Sequence, residues 1–193
     1  MTGPDKDRPV RLSRIYTRGG DGGETSLGDG ARVPKTDPQI VAIGAVDELN
    51  AALGLALVCA LDERLRSLLE QIQNELFDLG ADLSVPFAAG RSDRLRVEQE
   101  RVDALERVCD ELNAALEPLE SFVVPGADEP SARLHLARAV CRRAELAVLE
   151  ASAARSLNPL AAVYLNRLSD LLFICARIAA EGNVERLWRP GAS

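Results

Sequence analysis

The helical period recurs five times along this chain, and no run of alternating apolar and polar residues is long enough to suggest a sheet. Apolar residues three and four apart predict helices over 37–60, 62–83, 96–116, 130–154 and 159–181. Pro38, Pro130 and Pro159 suit first-turn positions, where the missing N–H has no helical partner to lose, with Asp37, Glu129 and Asn158 preceding them. Breaks fall at 84–93, 117–128 and 154–159, and no internal repeat is visible. The chain has 193 residues, 47% of them hydrophobic, which is enough for one sizeable core. The expected architecture is all-α, a five-helix bundle over 14–190 behind a disordered tail at 1–13.

Charge and composition narrow the function classes. A formal net charge of −7 argues against a general nucleic-acid or anionic-membrane surface, though not against a local basic pocket. The opening residues lack an apolar signal region, and no later run is read as a membrane span, so a cytoplasmic protein is expected. Cys59, Cys109, Cys141 and Cys175 have neither zinc nor disulfide-framework spacing and read as small buried hydrophobes. The single histidine, His135, cannot build the paired Glu-x-x-His motifs of a di-iron bundle.

Helices two and three are ordinary amphipathic scaffold. Leu65, Leu68, Leu69, Ile72, Leu76, Leu79 and Leu83 share one face of the second; Val102, Leu105, Cys109, Leu112 and Leu116 share one face of the third. The other three differ. On the fourth, His135, Arg138, Arg142 and Glu145 fall within about 80° of arc, flush against Leu134, Ala137, Cys141, Ala144 and Val148. The first sets Asp47, Asn50 and Gly54 beside Val46, Leu49, Leu53 and Ala56. The fifth sets Asn166, Asp170, Phe173 and Arg177 beside Leu165, Leu168, Leu172 and Cys175. Burying an ionic stripe is costly without a partner, so Asp47, Asp170 and Asn166 are expected to meet the fourth helix's arginines. A structural ion-pair network between helices or across an oligomer interface is the competing account of the stripes alone, less favoured than a shared site.

The segment before the first helix, "YTRGGDGGETSLGDGARVPKTD" (16–37), holds six glycines, three threonines, two arginines and a lysine, and reads as too polar for a strand. Glycines let backbone N–H groups converge on an anion. Thr17, Thr25 and Ser26 offer hydroxyls; Arg18 and Lys35 offer charge. Asp21 could hold a ribose hydroxyl, brace the turn or meet a metal ion. No Gly-Lys-Ser/Thr follows, so this is not a Walker A loop, and a plain surface loop has the same composition. With Arg142 and Arg143 it would give a polyphosphate both backbone donors and guanidinium forks. The residues themselves lead to a helical bundle that binds a nucleotide-like anion, and to no particular reaction.

"YTRGGDGGETSL", "VDELN", "FVVPG", "HLARAVCRRAE" and "YLNRLSDLLF" occur in that order, from about Arg14 to Trp188. Together they resemble the signatures of the PduO-type ATP:cob(I)alamin adenosyltransferases. The resemblance implies a ferritin-like five-helix bundle with a glycine-rich N-terminal loop, assembled as a homotrimer with sites at subunit interfaces. It implies transfer of the 5′-deoxyadenosyl group of ATP to the cobalt of cob(I)alamin, with magnesium on the phosphates. It also implies a cob(II)alamin reductase and an adenosylcobalamin-dependent mutase as partners.

Position by position, Thr17, Arg18, Gly20, Asp21, Gly23, Thr25 and Lys35 match that family's ATP loop. Arg142 matches an arginine acting on the triphosphate, with Glu145 and Asn166 as further ATP contacts. Asp47 and Arg138 match an intersubunit salt bridge on the corrinoid side, where Asp170 is also placed. Phe122 matches the aromatic that covers the lower corrin face and keeps the axial base off cobalt. His135 is expected to be a local hydrogen-bonding residue. Two positions depart from the pattern: Ala127 stands where a second glycine is usual, and Leu146 where arginine is. If position 127 needs positive φ, alanine adds strain there. That leaves a non-catalytic corrinoid or ATP carrier, and a purely structural oligomer, as alternatives.

Overall fold

The computed structural model describes residues 16, 18–87, 94–180 and 185–191. The tail at 1–13 and Thr17 lie outside the described residues. Five helices carry the fold: α1 (Pro38–Leu57), α2 (Glu63–Leu83), α3 (Gln99–Asn113), α4 (Glu129–Ala154) and α5 (Pro159–Ala179). Each lies close to its expected span, with α1 about a turn shorter at its end and α3 about a turn shorter at both ends. Asp37, Asp62, Asp128 and Asn158 cap four of the helices by accepting a first-turn backbone N–H. Asp128, not Glu129, is therefore the cap ahead of Pro130.

Two small antiparallel pairs were not expected. β1 (Glu24–Ser26) pairs with β2 (Arg32–Pro34), Thr25 opposite Val33, inside the segment read as too polar for a strand. Pairing there needs only one apolar anchor per arm, and Leu27 and Val33 are buried. β3 (Val123–Val124) pairs with β4 (Arg186–Leu187), joining the loop before α4 to the chain's last described stretch.

α4 lies between α1 and α5; α1 also packs on α2, and α5 on α3 and α2. The expected apolar stripes form the core: Leu134, Ala137, Cys141, Ala144 and Val148 have no solvent exposure, nor do Leu49, Leu53, Leu69, Leu79, Leu165, Leu168 and Leu172. Cys141 and Cys175 are buried within it, whereas Cys59 and Cys109 are half-buried near helix ends, and all four thiols are free. α1 and α5 are, by length and composition, apolar enough to cross a membrane, contrary to expectation. α5 has that composition because it is buried on several faces, from Ala161 and Tyr164 to Cys175 and Ala176. α1 keeps Val41 and Leu55 exposed, about a heptad either side of Glu48.

A polar hub closes one end of the bundle. The carboxylate of Asp82 in α2 is fully buried and accepts from Arg96 Nη1 (2.5 Å), the Val97 N–H (2.8 Å) and Asn158 Nδ2 (2.7 Å). It therefore ties α2, the approach to α3 and the cap of α5. Asp82→Ala would take from Arg96 its ion-pair partner, from the Val97 N–H its acceptor and from Asn158 one of two acceptors, and should cost about 3 kcal/mol. The check is a urea melt, read as a lowered midpoint at constant slope; a midpoint equal to wild type would remove the hub from this role.

Candidate functional site

The glycine-rich leader is a hairpin folded against the Asp82 end of the bundle. Its first turn is closed by Asp21 N–H to Arg18 O (3.3 Å) and Gly23 N–H to Gly20 O (3.2 Å). Arg18 has φ 60°, the only non-glycine in the left-handed region among the described residues. Lys35 donates its N–H to Gly23 O (2.8 Å), and its ammonium lies over Gly20, where an added Cβ would sit 3.1 Å away. Lys35, Gly20, Asp21 and Gly23 are thus brought together, with Thr25 beside them in β1. Gly28 donates to Ser84 O (2.9 Å), so close to α2 that a Cβ would stand 2.4 Å from Ser84 Oγ. Arg32 was not singled out from the sequence, where its role across the hairpin leaves no local signal. Its Nη2 reaches Gly19 O (2.9 Å) and pairs with Glu24 at 3.6 Å, bracing the turn. At the leader's root, Asp37 caps α1 and accepts from Arg155 at 2.6 Å, which holds its carboxyl below the usual range.

The ionic stripe of α4 faces a separate cleft of about 570 Å³, lined by Asn113, Arg138, Arg142, Ser169, Asp170, Phe173 and Ile174. Arg138, Arg142 and Asp170 line it together, but among the described residues Asp170 and Asn166 form no ion pair or hydrogen bond with either arginine, contrary to expectation. Behind them a chain of contacts fixes Arg142. Arg142 Nη1 lies 2.8 Å from Glu145 Oε2, Asn166 Nδ2 donates to Glu145 Oε1 (3.0 Å), and Arg167 Nη1 donates to Asn166 Oδ1 (3.0 Å). Arg167 also bonds Glu106 of α3 at 2.7 Å and is the nearest cation to Asp170, at 3.8 Å. Nothing in the apolar spacing of α5 marks Arg167, because its partner lies on another helix.

Several expectations need correction within one chain. Asp47 does not meet the arginines of α4; it lines an apolar groove of about 420 Å³ between α1 and α2. Among the described residues it forms no ion pair, since its side of α1 turns away from α4. Asn50 likewise joins α2, exchanging bonds with Gln73 at 3.1 and 3.0 Å. Arg143, about 100° round the helix from Arg142, pairs with Glu48 (2.6 Å) and takes no part in the cleft. Among the described residues His135 finds no hydrogen-bond partner for either ring nitrogen; its ring meets Phe173 edge-on, centroids 5.8 Å apart. Ala127 avoids positive φ, which falls on Gly126 (φ 109°), so the alanine adds no strain.

Phe122 is exposed on the loop before β3 and lies 6.1 Å from the ring of Trp188. The leader and Arg142 stay apart in one chain: the leader's root meets α4 at Arg155, about 20 Å of helix from Arg142.

Comparison with known proteins gives a consistent picture. The sequence pattern of a family described as cobalamin adenosyltransferase matches residues 15–179. A corrinoid adenosyltransferase from Mycobacterium leprae is 49% identical over 189 residues, covering 94% of this chain and 98% of that protein. A phenylalanine-to-alanine variant of a PduO-type ATP:corrinoid adenosyltransferase from Lactobacillus reuteri, solved with cobalamin and ATP, superposes with a TM-score of 0.83. It is 33% identical, over 91% of this chain and 99% of that one. An arginine-to-lysine variant described as a PduO-type adenosyltransferase from the same organism, solved with ATP, gives 0.82 at 34% identity over 91% and 100%.

Burial, then the neighbouring Arg138 charge, hold His135 below its ordinary 6.5, with Glu185 opposing weakly. The unfolded chain therefore binds this proton more readily, and stability is lost as pH falls below 6.5. The lone histidine's NMR titration should show a midpoint below 6.5. The Tm gap between wild type and His135→Leu should move in the variant's favour from about pH 7 to about pH 5. A midpoint at or above 6.5 contradicts the assignment.

Proposed function

The chain belongs to the cobalamin adenosyltransferase family, and from that premise we propose that it transfers the 5′-deoxyadenosyl group of ATP to the cobalt of cob(I)alamin. The observation that carries this reading is the cleft in which Arg138 and Arg142 stand beside Asp170, with Arg142 held by the Glu145–Asn166–Arg167 chain. In the reaction the C5′–O bond of ATP breaks and a Co–C5′ bond forms. Cob(I)alamin supplies both electrons of the new bond, and the old pair leaves with triphosphate. No protein base is required. The protein's tasks are to align C5′ with cobalt and to stabilise the charge gathering on the leaving group.

Arg142 suits the second task. Its side chain is half exposed, and the buried Glu145 carboxylate orients it, so little reorganisation is needed when phosphate arrives. Arg18, Gly20, Asp21, Gly23, Thr25 and Lys35, with Thr17 beside them in sequence, would take the ATP phosphates and ribose. Magnesium would arrive on the triphosphate and neutralise part of its charge. Among the described residues no three His, Cys, Asp or Glu side chains lie close enough to hold a metal ion, so phosphate and water oxygens would supply most of its ligands.

Leader and cleft would serve one triphosphate if contributed by different copies, as a homotrimer allows. Two features support such a seam. Asp47 lacks an ion pair among the described residues and could meet Arg138 of a neighbouring copy. Val41, Leu55, Leu136 and Leu146 stand exposed around the Arg143–Glu48 pair that joins α1 to α4. The phenylalanine and arginine replaced in the two solved relatives stand twenty residues apart, the interval between Phe122 and Arg142 here. This spacing supports Phe122 as the lower-face residue and Arg142 as the triphosphate residue. A reductase delivering cob(II)alamin's last electron and a mutase consuming the product, both in the cytoplasm, complete the proposed setting.

Incubation with ATP, magnesium and pre-reduced cob(I)alamin should yield the adenosylcobalamin spectrum; folded wild-type protein that makes none overturns the reading. Arg142→Ala should lower turnover at least about 100-fold without altering helicity, and a fully active variant would strip Arg142 of its role. Phe122→Ala should impair reaction from cob(II)alamin plus reductant more than from preformed cob(I)alamin. Equal losses count against the lower-face assignment.

A further inference from the structure

Phe122 and Trp188 are 78% and 50% exposed, and they ride on a sheet whose two strands have two residues each. A two-stranded pairing that short cannot hold its own geometry in water. Within it, Trp188 N–H donates to Phe122 O (2.7 Å) and Ser121 Oγ to Trp188 O (2.7 Å), so the two aromatics move as one piece. The piece still needs an anchor to the bundle.

Arg177, in the last turn of α5, supplies it. Its side chain is only 8% exposed. Nη2 donates to Glu117 O at 2.9 Å, and Nε donates to Glu185 Oε2 at 3.2 Å. Glu117 opens the stretch leading to Phe122 and β3; Glu185 immediately precedes β4. One guanidinium thus clamps both arms of the sheet, each arriving from a different part of the chain. The Glu185 carboxylate is itself largely buried, and its other oxygen has no partner among the described residues. A charge-assisted bond between two groups so withdrawn from water is strong and directional. Lysine could satisfy one arm but lacks the planar fork that reaches both.

We infer that Arg177, through Glu117 and Glu185, is a positioning residue that sets where the Phe122–Trp188 pair stands against the corrinoid. The role rests on the lower-face reading of Phe122. An apolar wall excludes water and an axial base from cobalt only if it stands at the right height, and a displacement near an ångström undoes that. The clamp therefore acts on the path from cob(II)alamin, which an axial ligand hinders, and hardly on alkyl transfer from cob(I)alamin, which carries no such ligand.

Trp188 is the chain's only tryptophan, so its fluorescence reports on the clamp independently of turnover. Arg177→Met in the full chain should retain helical circular dichroism, shift tryptophan emission to the red and increase quenching by acrylamide. Its rate from cob(II)alamin plus a one-electron reductant should drop about tenfold, while its rate from preformed cob(I)alamin stays within about twofold of wild type. Glu185→Gln, which keeps an acceptor oxygen, should lose less on both readouts. Should Arg177→Met fail to fold, Arg177→Lys and Glu185→Gln carry the same comparison. Unchanged emission and quenching, or equal losses from both cobalt states, overturn the inference. Wild type without product from cob(I)alamin sinks the transferase reading instead, and the fluorescence comparison then decides the clamp on its own.

Discussion

The apolar stripe of α4 constrains everything around it. Leu134, Ala137, Cys141, Ala144 and Val148 are shut off from solvent, and the small side chains among them let α5 come close enough for Cys141 Sγ to meet Leu165 O at 3.2 Å. A helix seated so closely cannot rotate about its axis without exposing that stripe or driving charge into the core. Arg138, Arg142 and Glu145 follow directly on the adjoining arc, so their direction into the gap beside α5 is a consequence of packing. The burial that stabilises the bundle also aims the chemistry.

The two ends of the bundle divide the remaining work. At one, the Asp82 hub and the Asp37–Arg155 pair fix the root of the leader, and Gly28 lets it lie flat on α2. At the other, Arg177 gathers the loop carrying Phe122 and the strand that leads into Trp188. The Arg142 cleft lies between them along α4. In one protomer the leader's root and Arg142 stand about 20 Å apart along α4, which supports the proposal of a site shared between copies. The apolar side chains exposed on α1 and α4 are the surface such sharing would bury.

Much of this was legible in the sequence, for reasons that differ by element. The helices were, because a buried stripe imposes its period on the residues themselves: Leu65 to Leu83 in α2 and Leu165 to Cys175 in α5 needed no partner to be recognised. Caps were nearly so, although Asp128 displaced Glu129, since capping depends on which side chain can turn back toward a first-turn N–H. The leader's strands were not legible, because Val33 and Leu27 provide too little apolar pattern to stand out among glycines. Nor was Arg167, whose partner Glu106 lies sixty-one residues away on another helix.

What the sequence determined by itself was therefore local and periodic: five helices, their buried faces, and the grouping of His135, Arg138, Arg142 and Glu145 on one arc. Only the tertiary structure decided which of those groups meet. It turned Arg143 to Glu48, left Asp47 on the α1–α2 groove, set His135 edge-on against Phe173 and gave Arg177 both arms of the sheet beside Phe122 and Trp188. The reason is geometric. Helical spacing sets the direction of a side chain about its own axis, but the identity of its neighbour depends on how helices remote in sequence pack against one another.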